Sequence, residues 1–358
     1  MNILYVIFTF ETGGIQKLLI DIINKLVKDN NIYLCVINKR YDTCMLEKID
    51  RRAEIILLNR TEHGQKIKYM FQYTKFILEH KIDIIHCQLE NSVKFSALAK
   101  ILNPRIKIFT TVHETNAFKY LKYYEVLLDR LLCRKIIAIS ECVRDEILSK
   151  GIPQKKVVTI YNAINMRKFM SFQGKHKKNK RIVIGNVSRI VPEKKGQDIL
   201  INAIAKLKER YTNILCLFAG ECPNDKIAKL DELKQLCILN DVEDNVKFLG
   251  NVNNISRFLD NIDIFVLPSR SEGFGIALIE AMAKGVPCIA SDIDGPKEII
   301  KNSEYGLLFQ HENADALAQK IEFRINNMEI ETEKIRNYII DNYSIDCMIN
   351  RILNVYDT

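Results

Sequence analysis

The stretch Pro268–Pro287, PSRSEGFGIALIEAMAKGVP, carries the clearest structural signals in this sequence of 358 residues. It follows a short apolar run, Asp263–Leu267, and opens with a polar turn in which two glycines flank Phe274. An apolar segment with a helical pattern comes next, and Gly285 and Pro287 supply a helix stop. The order is strand, glycine-rich turn and helix. Free backbone N–H groups at a helix N-terminus suit an anion, and glycine lets that anion come close, so the stretch predicts a phosphate-binding turn.

Two glutamates, Glu272 and Glu280, belong to this stretch. Glu272 lies in the turn, where its charge is close to the start of the helix. Glu280 lies within an otherwise apolar helix, where a carboxylate without a partner is costly. We therefore expect Glu280 to bind a polar group.

Apolar, β-branched runs alternate with amphipathic helical runs along the whole chain. This alternation predicts an α/β fold of parallel sheets covered on both faces, with seven strands in the first half and five in the second. The length favours two domains. The polar, basic segment Ser171–Lys180 is the best linker, so we expect doubly wound domains at 1–170 and 181–340. The last residues, about 341–358, predict a helix that packs back on the first domain.

Charge is divided unevenly between the two halves. Residues 1–180 hold 32 Lys and Arg against 17 Asp and Glu, which gives +15, whereas the remainder carries −6 of the total of +9. A basic first half indicates an anionic partner such as a membrane surface, an acidic acceptor or nucleic acid. Tyr120–Lys135 mixes Lys and Arg with Tyr and Leu at helical spacing, as interfacial helices do, although a core helix with a basic face fits equally well.

The ten cysteines form no CxxC pair and have no regular spacing, which favours buried reduced thiols over disulfides or a zinc site. No apolar run approaches the roughly 20 residues that span a bilayer. The first residues predict a strand rather than a leader, so we expect a cytoplasmic protein, with peripheral membrane contact as one interpretation of the basic half.

Ligands of open parallel sheets bind beyond the carboxyl ends of the strands. Gly13 and Gly14 follow the first predicted strand and allow close approach of a phosphate, although an ordinary turn fits as well. His113 ends a later strand and can exchange a proton near neutral pH, although a lone histidine is more often structural. His86 has the same ambiguity.

Arg189 and Lys195 frame the loop after the first predicted strand of the second half. An arginine fork and a lysine charge at a helix start together suit a pyrophosphate. A solvated basic loop is the alternative interpretation of the same residues.

Together these residues resemble the retaining, nucleotide-sugar-dependent glycosyltransferases of the GT-B fold, and specifically the group 1 family, glycosyltransferase family 4. Glu272–Glu280, EGFGIALIE, is similar to the family's signature of two glutamates separated by seven residues. Ser188–Gly196 resembles its Arg-to-Lys-Gly loop, and Gly13, Gly14 and His113 match weaker motifs. The resemblance covers nearly the whole chain in the right order. It implies two Rossmann-like domains that face each other across a cleft.

The resemblance implies a role for each matched residue of the second domain. Arg189 and Lys195 would hold the diphosphate, and Glu272 would contact the hydroxyls of the donor sugar. Glu280 would bind the ribose hydroxyls, and Val252 would lie near the base. Backbone N–H groups would hold the distal phosphate and the sugar at Gly273, Phe274, Gly275 and Ile276.

In the first domain, the resemblance implies that Gly13 and Gly14 abut the diphosphate and that His113 lies near the acceptor. It implies retaining transfer of a hexosyl or N-acetylhexosaminyl group from a nucleotide sugar, most commonly a UDP-sugar. The acceptor would be a saccharide or a lipid-linked sugar of a bacterial capsule, O-antigen or glycolipid.

No metal or other cofactor is expected, because two cations and a helix dipole already offset the diphosphate charge. Asp292–Asp294 spells DxD, the metal motif of the other glycosyltransferase fold. Two carboxylates in one loop rarely suffice to hold a metal, so we do not predict a metal site there.

Two other functions stay open at this point. A non-hydrolysing sugar-nucleotide epimerase shares the fold but lacks the two-glutamate element, and it would turn over the donor without an acceptor. A basic nucleic-acid-binding protein would bind oligonucleotides in a salt-dependent way, but the basic residues here are scattered rather than interleaved with aromatic ones. We therefore expect no nucleic-acid partner.

Overall fold

The computed structural model describes residues 1–61, 66–88, 92–169, 181–223 and 226–358. They divide into two compact units, Met1–Ala163 together with Ile345–Thr358, and Ile164–Ser344. The chain thus passes into the second unit after Ala163 and returns to the first after Ser344. The predicted linker at 171–180 lies outside the described residues.

The first unit is built on a seven-stranded sheet in the order β3-β2-β1-β4-β5-β6-β7, and all its pairings are parallel. Its strands are β1 (Asn2–Ile7), β2 (Asn31–Asn38), β3 (Glu54–Arg60), β4 (Ile84–Cys87), β5 (Lys107–Val112), β6 (Cys133–Ala138) and β7 (Val157–Thr159). Its helices are α1 (Gly14–Leu26), α2 (Thr43–Leu46), α3 (Lys66–Glu79), α4 (Val93–Leu102), α5 (Tyr123–Leu132) and α6 (Glu141–Ser149).

The second unit is built on a six-stranded parallel sheet in the order β10-β9-β8-β11-β12-β13. Its strands are β8 (Ile182–Val187), β9 (Ile214–Ala219), β10 (Val246–Phe248), β11 (Ile264–Leu267), β12 (Cys288–Ser291) and β13 (Leu307–Phe309). Its helices are α7 (Pro192–Lys195), α8 (Gln197–Leu207), α9 (Ile227–Leu239), α10 (Ile255–Asp260), α11 (Ile276–Ala283), α12 (Asp294–Ile299), α13 (Ala314–Asn326) and α14 (Thr332–Tyr343).

Both sheets have the doubly wound strand order, and the prediction of two parallel α/β domains is confirmed. In the first unit β1 pairs with β2 on one side and β4 on the other, and in the second unit β8 pairs with β9 and β11. The order reverses at these strands, and ligands of such sheets bind beyond the carboxyl ends at the point of reversal. The loops after β8 and β11 therefore define the candidate site of the second unit.

The last helix, α15 (Ile345–Tyr356), belongs to the first unit. It shares a buried core with Tyr5 of β1 and Phe109 of β5, and it packs beside α1. An ion pair joins Lys25 of α1 to Asp346. The buried residues of α15 recur at the spacing of one helix face. They are Ile345, Met348, Ile349, Ile352, Val355 and Tyr356.

Three elements differ from the sequence-based expectation. The helix predicted from Tyr120 starts later, because a 3₁₀ turn over Phe118–Tyr120 precedes α5. The second sheet has a sixth strand, β13, whose three residues are too few to show an alternating pattern. The terminal helical region is two helices, because α14 ends at Tyr343 and α15 begins at Ile345.

Candidate functional site

The loop after β8 and the turn after β11 meet through an ion pair. Lys195, the last residue of α7, donates from Nζ to Glu272 Oε2 at 2.7 Å. The two side chains are 21% and 17% exposed, so the pair is partly desolvated but still open to a ligand. The structure thus brings together two predicted site residues that lie far apart in sequence.

Gly196 allows this approach. It has a φ of +64°, and a Cβ at this position would lie 2.0 Å from the main-chain oxygen of Pro268. The main-chain oxygen of Lys194 accepts N–H donation from Arg270 at 2.8 Å and from Ser271 at 3.2 Å. The end of α7 therefore lies directly on the turn that begins the opening stretch, backbone against backbone.

Arg270 holds the same turn in place, a role that the sequence reasoning missed. Its guanidinium donates two bonds of 2.7 Å to Asp198 and one of 2.8 Å to the oxygen of Pro192. It also donates to Glu312 at 2.8 Å. These partners raise the pKa of Arg270, chiefly through the hydrogen bonds to Asp198. The available signal was that a cation in the turn after β11 and an acid in the first turn of α8 both lie near the same edge of the sheet.

Arg189 differs from Arg270, because its side chain is exposed and has no hydrogen bond or ion pair within the described part of the chain. Its main chain is held by the buried side chain of Gln197, whose Nε2 donates to Arg189 O at 2.8 Å and to Ser188 Oγ at 2.9 Å. The loop therefore presents a positioned backbone with an available guanidinium, which is suited to an anion.

The glycine-rich turn leads into α11 as predicted. Gly273, Phe274 and Gly275 are buried, and Gly275 adopts a φ of +113° at the N-cap of α11. This N-cap supplies no side-chain bond to the first turn, which begins at Ile276. A helix N-terminus without a side-chain cap offers backbone N–H groups to an anion.

Two further predicted residues lie in the second unit. Glu280 is half-buried on α11, one helix turn beyond Ile276. Val252 is half-buried in the segment after β10, and Gly220, after β9, donates its N–H to Gly250 O at 2.8 Å in this region. Val252 thus follows β10, and Glu280 belongs to the helix that follows β11. Both segments begin at the carboxyl edge of the second sheet.

In the first unit, Gly13 is the N-cap of α1 and Gly14 is its first residue. Gly13 has extended backbone, and a Cβ there would meet only the flexible end of Gln16. Its conformation therefore does not require glycine. The helix start lies beyond the carboxyl end of β1, where the sequence analysis placed it.

His113 lies just beyond β5 and is 7% exposed. Its Nε2 lies 3.0 Å from Gln88 Oε1, whereas its Nδ1 has no hydrogen-bond partner within the described residues. Burial lowers the pKa of His113 to about 4. The imidazole is therefore neutral at pH 7, and its Nδ1 is a buried polar atom whose hydrogen-bonding capacity the described residues do not use.

His86, which had the same ambiguity, is structural. Its Nδ1 lies 2.6 Å from the hydroxyl of Tyr356 on α15, and its Nε2 lies 2.7 Å from Thr111 Oγ1. Tyr356 also bonds to the hydroxyl of Tyr5 at 3.1 Å. Burial, with a smaller contribution from the charge of His113, lowers the pKa of His86 to about 3.

Acidification should destabilise the first unit through these two histidines. Their folded pKa values lie below the ordinary histidine value of 6.5, so the unfolded chain binds more protons than the folded one as pH falls below 6.5. Each of the two histidines should lower the unfolding free energy by about 1–2 kcal/mol between pH 7 and pH 5. Urea unfolding at both pH values measures this loss.

A His86→Asn variant should show a weaker pH dependence of the unfolding free energy, even where its stability at pH 7 is lower. His311→Asn, a change at an exposed histidine, serves as the control and should leave the dependence unchanged. An unaltered pH dependence in His86→Asn would show that this buried imidazole does not cause it.

The DxD sequence lies at the start of α12. Asp292 forms an ion pair of 2.9 Å with Lys297, and Asp294 is the first residue of the helix. Among the described residues, no group of three or more His, Cys, Asp or Glu side chains is arranged to hold a metal ion.

Comparison with known proteins decides the family. Residues 12–168 match the family described as Glycosyltransferase Family 4, and residues 167–342 match Glycosyl transferases group 1. A glycosyltransferase of Methanocaldococcus jannaschii is 30% identical over 333 residues, which cover 87% of this chain and 79% of that protein. The chain belongs to the group 1 glycosyltransferases. This membership confirms the resemblance and makes the protein a sugar-transferring enzyme.

Two further comparisons bear on this glycosyltransferase. The capsular polysaccharide biosynthesis glycosyltransferase CapM of Staphylococcus aureus is 27% identical over 306 residues, covering 81% of this chain and 78% of CapM. The crystal structure of Anabaena HepE in complex with UDP-glucose matches with a TM-score of 0.87 at 19% identity, covering 100% of this chain and 99% of HepE. The fold class is that of the GT-B glycosyltransferases. No helix within the described ranges is long and apolar enough to cross a membrane.

Proposed function

We propose that this glycosyltransferase takes its sugar from a nucleoside diphosphate sugar, with UDP as the nucleotide, and transfers it with retention of configuration. The observation that carries the proposal is the cationic edge of the second unit. The available guanidinium of Arg189, the Lys195–Glu272 pair and the start of α11 all lie on loops that follow β8 and β11. Such a set of groups fits a diphosphate with a polar sugar attached.

The donor diphosphate would engage Arg189 and Lys195, and its distal phosphate would accept N–H donation from the turn at Gly273–Ile276. Glu272 would bind sugar hydroxyls, and its charge would also hold Lys195 in place. When the bond between the sugar C1 and the phosphate oxygen breaks, negative charge develops on the leaving diphosphate. Preorganised cations and a helix dipole stabilise that charge. Electrostatic stabilisation of this kind is usually the largest contribution to the rate enhancement of an enzyme.

Retention would follow from attack on the same face as the departing phosphate. The acceptor oxygen forms the new bond to C1, and the leaving phosphate oxygen takes the acceptor proton. Neutral His113 is suited to hydrogen bonding through its buried, unpartnered Nδ1 rather than to carrying charge at pH 7. We propose it as an acceptor-side residue of the first unit. The role of Gly13 and Gly14 at the diphosphate stays a prediction from the resemblance.

The acceptor is proposed to be a saccharide or lipid-linked sugar in the synthesis of a surface polysaccharide or glycolipid. The family relative CapM, a capsular polysaccharide biosynthesis protein, supports this class of acceptor. A hexosyl or N-acetylhexosaminyl group fits the same chemistry. No metal is needed in the proposed site, because protein cations offset the diphosphate charge.

A thermal-shift screen across UDP-, GDP- and ADP-sugars tests the donor. UDP and a UDP-sugar should raise the melting temperature of the protein, because a ligand that binds only the folded state stabilises it by an amount that grows with the logarithm of the ligand concentration over its Kd. A shift with GDP- or ADP-sugars alone would reject the proposed nucleotide, and no shift with any of them would reject the donor class.

Replacing Glu280 with alanine should weaken UDP binding by roughly 10–100-fold, because hydrogen bonds from ribose hydroxyls to a charged acceptor are among the strong ones. Titration calorimetry with UDP measures the change. Glu209→Ala, which removes an exposed glutamate elsewhere in the second unit, is the control and should bind normally. Unchanged affinity in the Glu280 variant would contradict the ribose contact.

A further inference from the structure

The fully exposed side chains of α5 and its flanks are all cationic or apolar. Within residues 119–135, both acids are withdrawn from solvent and every exposed residue is a lysine, an arginine, a tyrosine or a leucine. We call this set the α5 face. Its members are Lys119, Tyr120, Lys122, Tyr123, Tyr124, Leu127, Arg130, Leu131 and Arg134.

The apolar members recur at the spacing of one helix face. Tyr123 is 85% exposed, Leu131 is 66% exposed, and Leu127 lies between them along the helix. The opposite side of α5 packs inward through Val126 and Asp129. The exposed stripe is therefore a second face of α5, distinct from the face that packs into the first unit.

The two acids of this segment do not weaken its positive charge at the surface. Glu125 has a side chain only 12% exposed, accepts a bond of 3.0 Å from Lys94 and also accepts the N–H of Lys122. Asp129 is buried. Arg134 donates from Nε to the main-chain oxygen of Thr358 at 3.0 Å.

The neighbouring helices also carry exposed apolar side chains. α4 packs between α3 and α5. Ile101 and Leu102 are exposed at the end of α4, and Ile67 and Phe71 are exposed on α3. An exposed apolar area of this kind, rimmed by cations, marks an interaction surface.

We propose that the α5 face docks on an anionic lipid bilayer. Tyrosines at the level of the headgroups, leucines that reach the acyl boundary and flanking lysines and arginines are the composition of an interfacial helix. A second copy of the chain is a poorer partner, because pairing two such faces would bring like charges together. Nucleic acid would leave Leu127 and Leu131 without an apolar partner.

Co-sedimentation with vesicles tests the proposal. The protein should bind vesicles of phosphatidylcholine with about 30 mol % phosphatidylglycerol, and binding should fall as salt rises. Pure phosphatidylcholine vesicles should bind much less. Absence of binding to the anionic vesicles, or equal binding to both kinds at all salt concentrations, would overturn the proposal.

Two double variants separate the contributions. Lys122→Gln with Arg130→Gln should weaken binding to anionic vesicles by roughly tenfold or more, from the usual contribution of each cation near such a surface. Tyr123→Ser with Leu127→Ser should weaken it comparably. All four side chains are exposed, so the fold should be unaffected, and an unchanged melting temperature verifies this.

Matched controls lie on the second unit. Ile238→Ser with Leu239→Ser removes exposed apolar groups of α9, and Arg181→Gln with Lys247→Gln removes exposed cations. Both should bind vesicles as the wild type does. Equal vesicle binding by every variant would overturn the lipid assignment. The assignment would also fail if the wild-type protein self-associates without lipid and the variant Tyr123→Ser with Leu127→Ser does not. UDP binding should persist in all variants. A failure of the lipid proposal can therefore be told apart from a failure of the donor proposal.

Discussion

Replacing Glu272 with glutamine is expected to lower the rate of sugar transfer by on the order of 10²–10³-fold, the usual effect of removing one group that stabilises a transition state. Glutamine keeps the shape of the side chain but removes the charge that pairs with Lys195 Nζ at 2.7 Å. Lys195 loses its orientation, and the sugar hydroxyls lose a charged acceptor. Initial rates with a UDP-sugar and a saccharide acceptor measure the effect.

Glu312→Gln is the matched control for this change. Glu312 also pairs with a cation of the same region, Arg270, but it is 53% exposed and has no proposed ligand contact. Its loss should leave the rate within a few-fold of the wild type, because exposed ion pairs contribute little. A Glu272→Gln enzyme with the full rate of transfer would remove Glu272 from the reaction.

Replacing Gly196 with alanine is expected to destabilise the second unit by more than about 4 kcal/mol, or to prevent its folding. The added Cβ would lie 2.0 Å from Pro268 O, a main-chain atom that cannot move without shifting the turn after β11. Gly250→Ala is a matched control, because its φ of +65° equals that of Gly196 within a degree while open space surrounds it.

The control variant should lose only about 1–2 kcal/mol, the cost of the left-handed backbone itself. Denaturant unfolding of both variants isolates the effect of the close approach. If Gly196→Ala and Gly250→Ala lose the same unfolding free energy, α7 does not lie against the β11 turn as described.

The sequence predicted the parts of the site that depend on local order. The strand, turn and helix around Glu272 and the loop from Arg189 to Lys195 all form as expected, because glycines and an apolar helical period fix local structure. The fold class followed from the same alternation repeated along the chain. The predicted roles of these residues toward a donor remain predictions.

Contacts between distant segments could not be predicted in this way. Arg270 meets Asp198 across 72 residues, and the partner of His86 is Tyr356, 270 residues later. Neither pairing has a local signal, since each depends on how strands assemble into a sheet and on where the last helix packs. For the same reason the sequence could not separate His86, whose two ring nitrogens both have partners, from His113, whose Nδ1 has none among the described residues.

The edge of the second unit is proposed to bind the diphosphate of a nucleotide sugar. Titration calorimetry with UDP on Arg189→Ala and Arg181→Ala tests it most directly, because both arginines are exposed and lie at opposite ends of β8. Arg189→Ala should weaken UDP binding by roughly 10–100-fold, the value of hydrogen bonds to a charged group, and Arg181→Ala should leave it unchanged. Wild-type affinity in Arg189→Ala, or equal losses in the two variants, would contradict the claim.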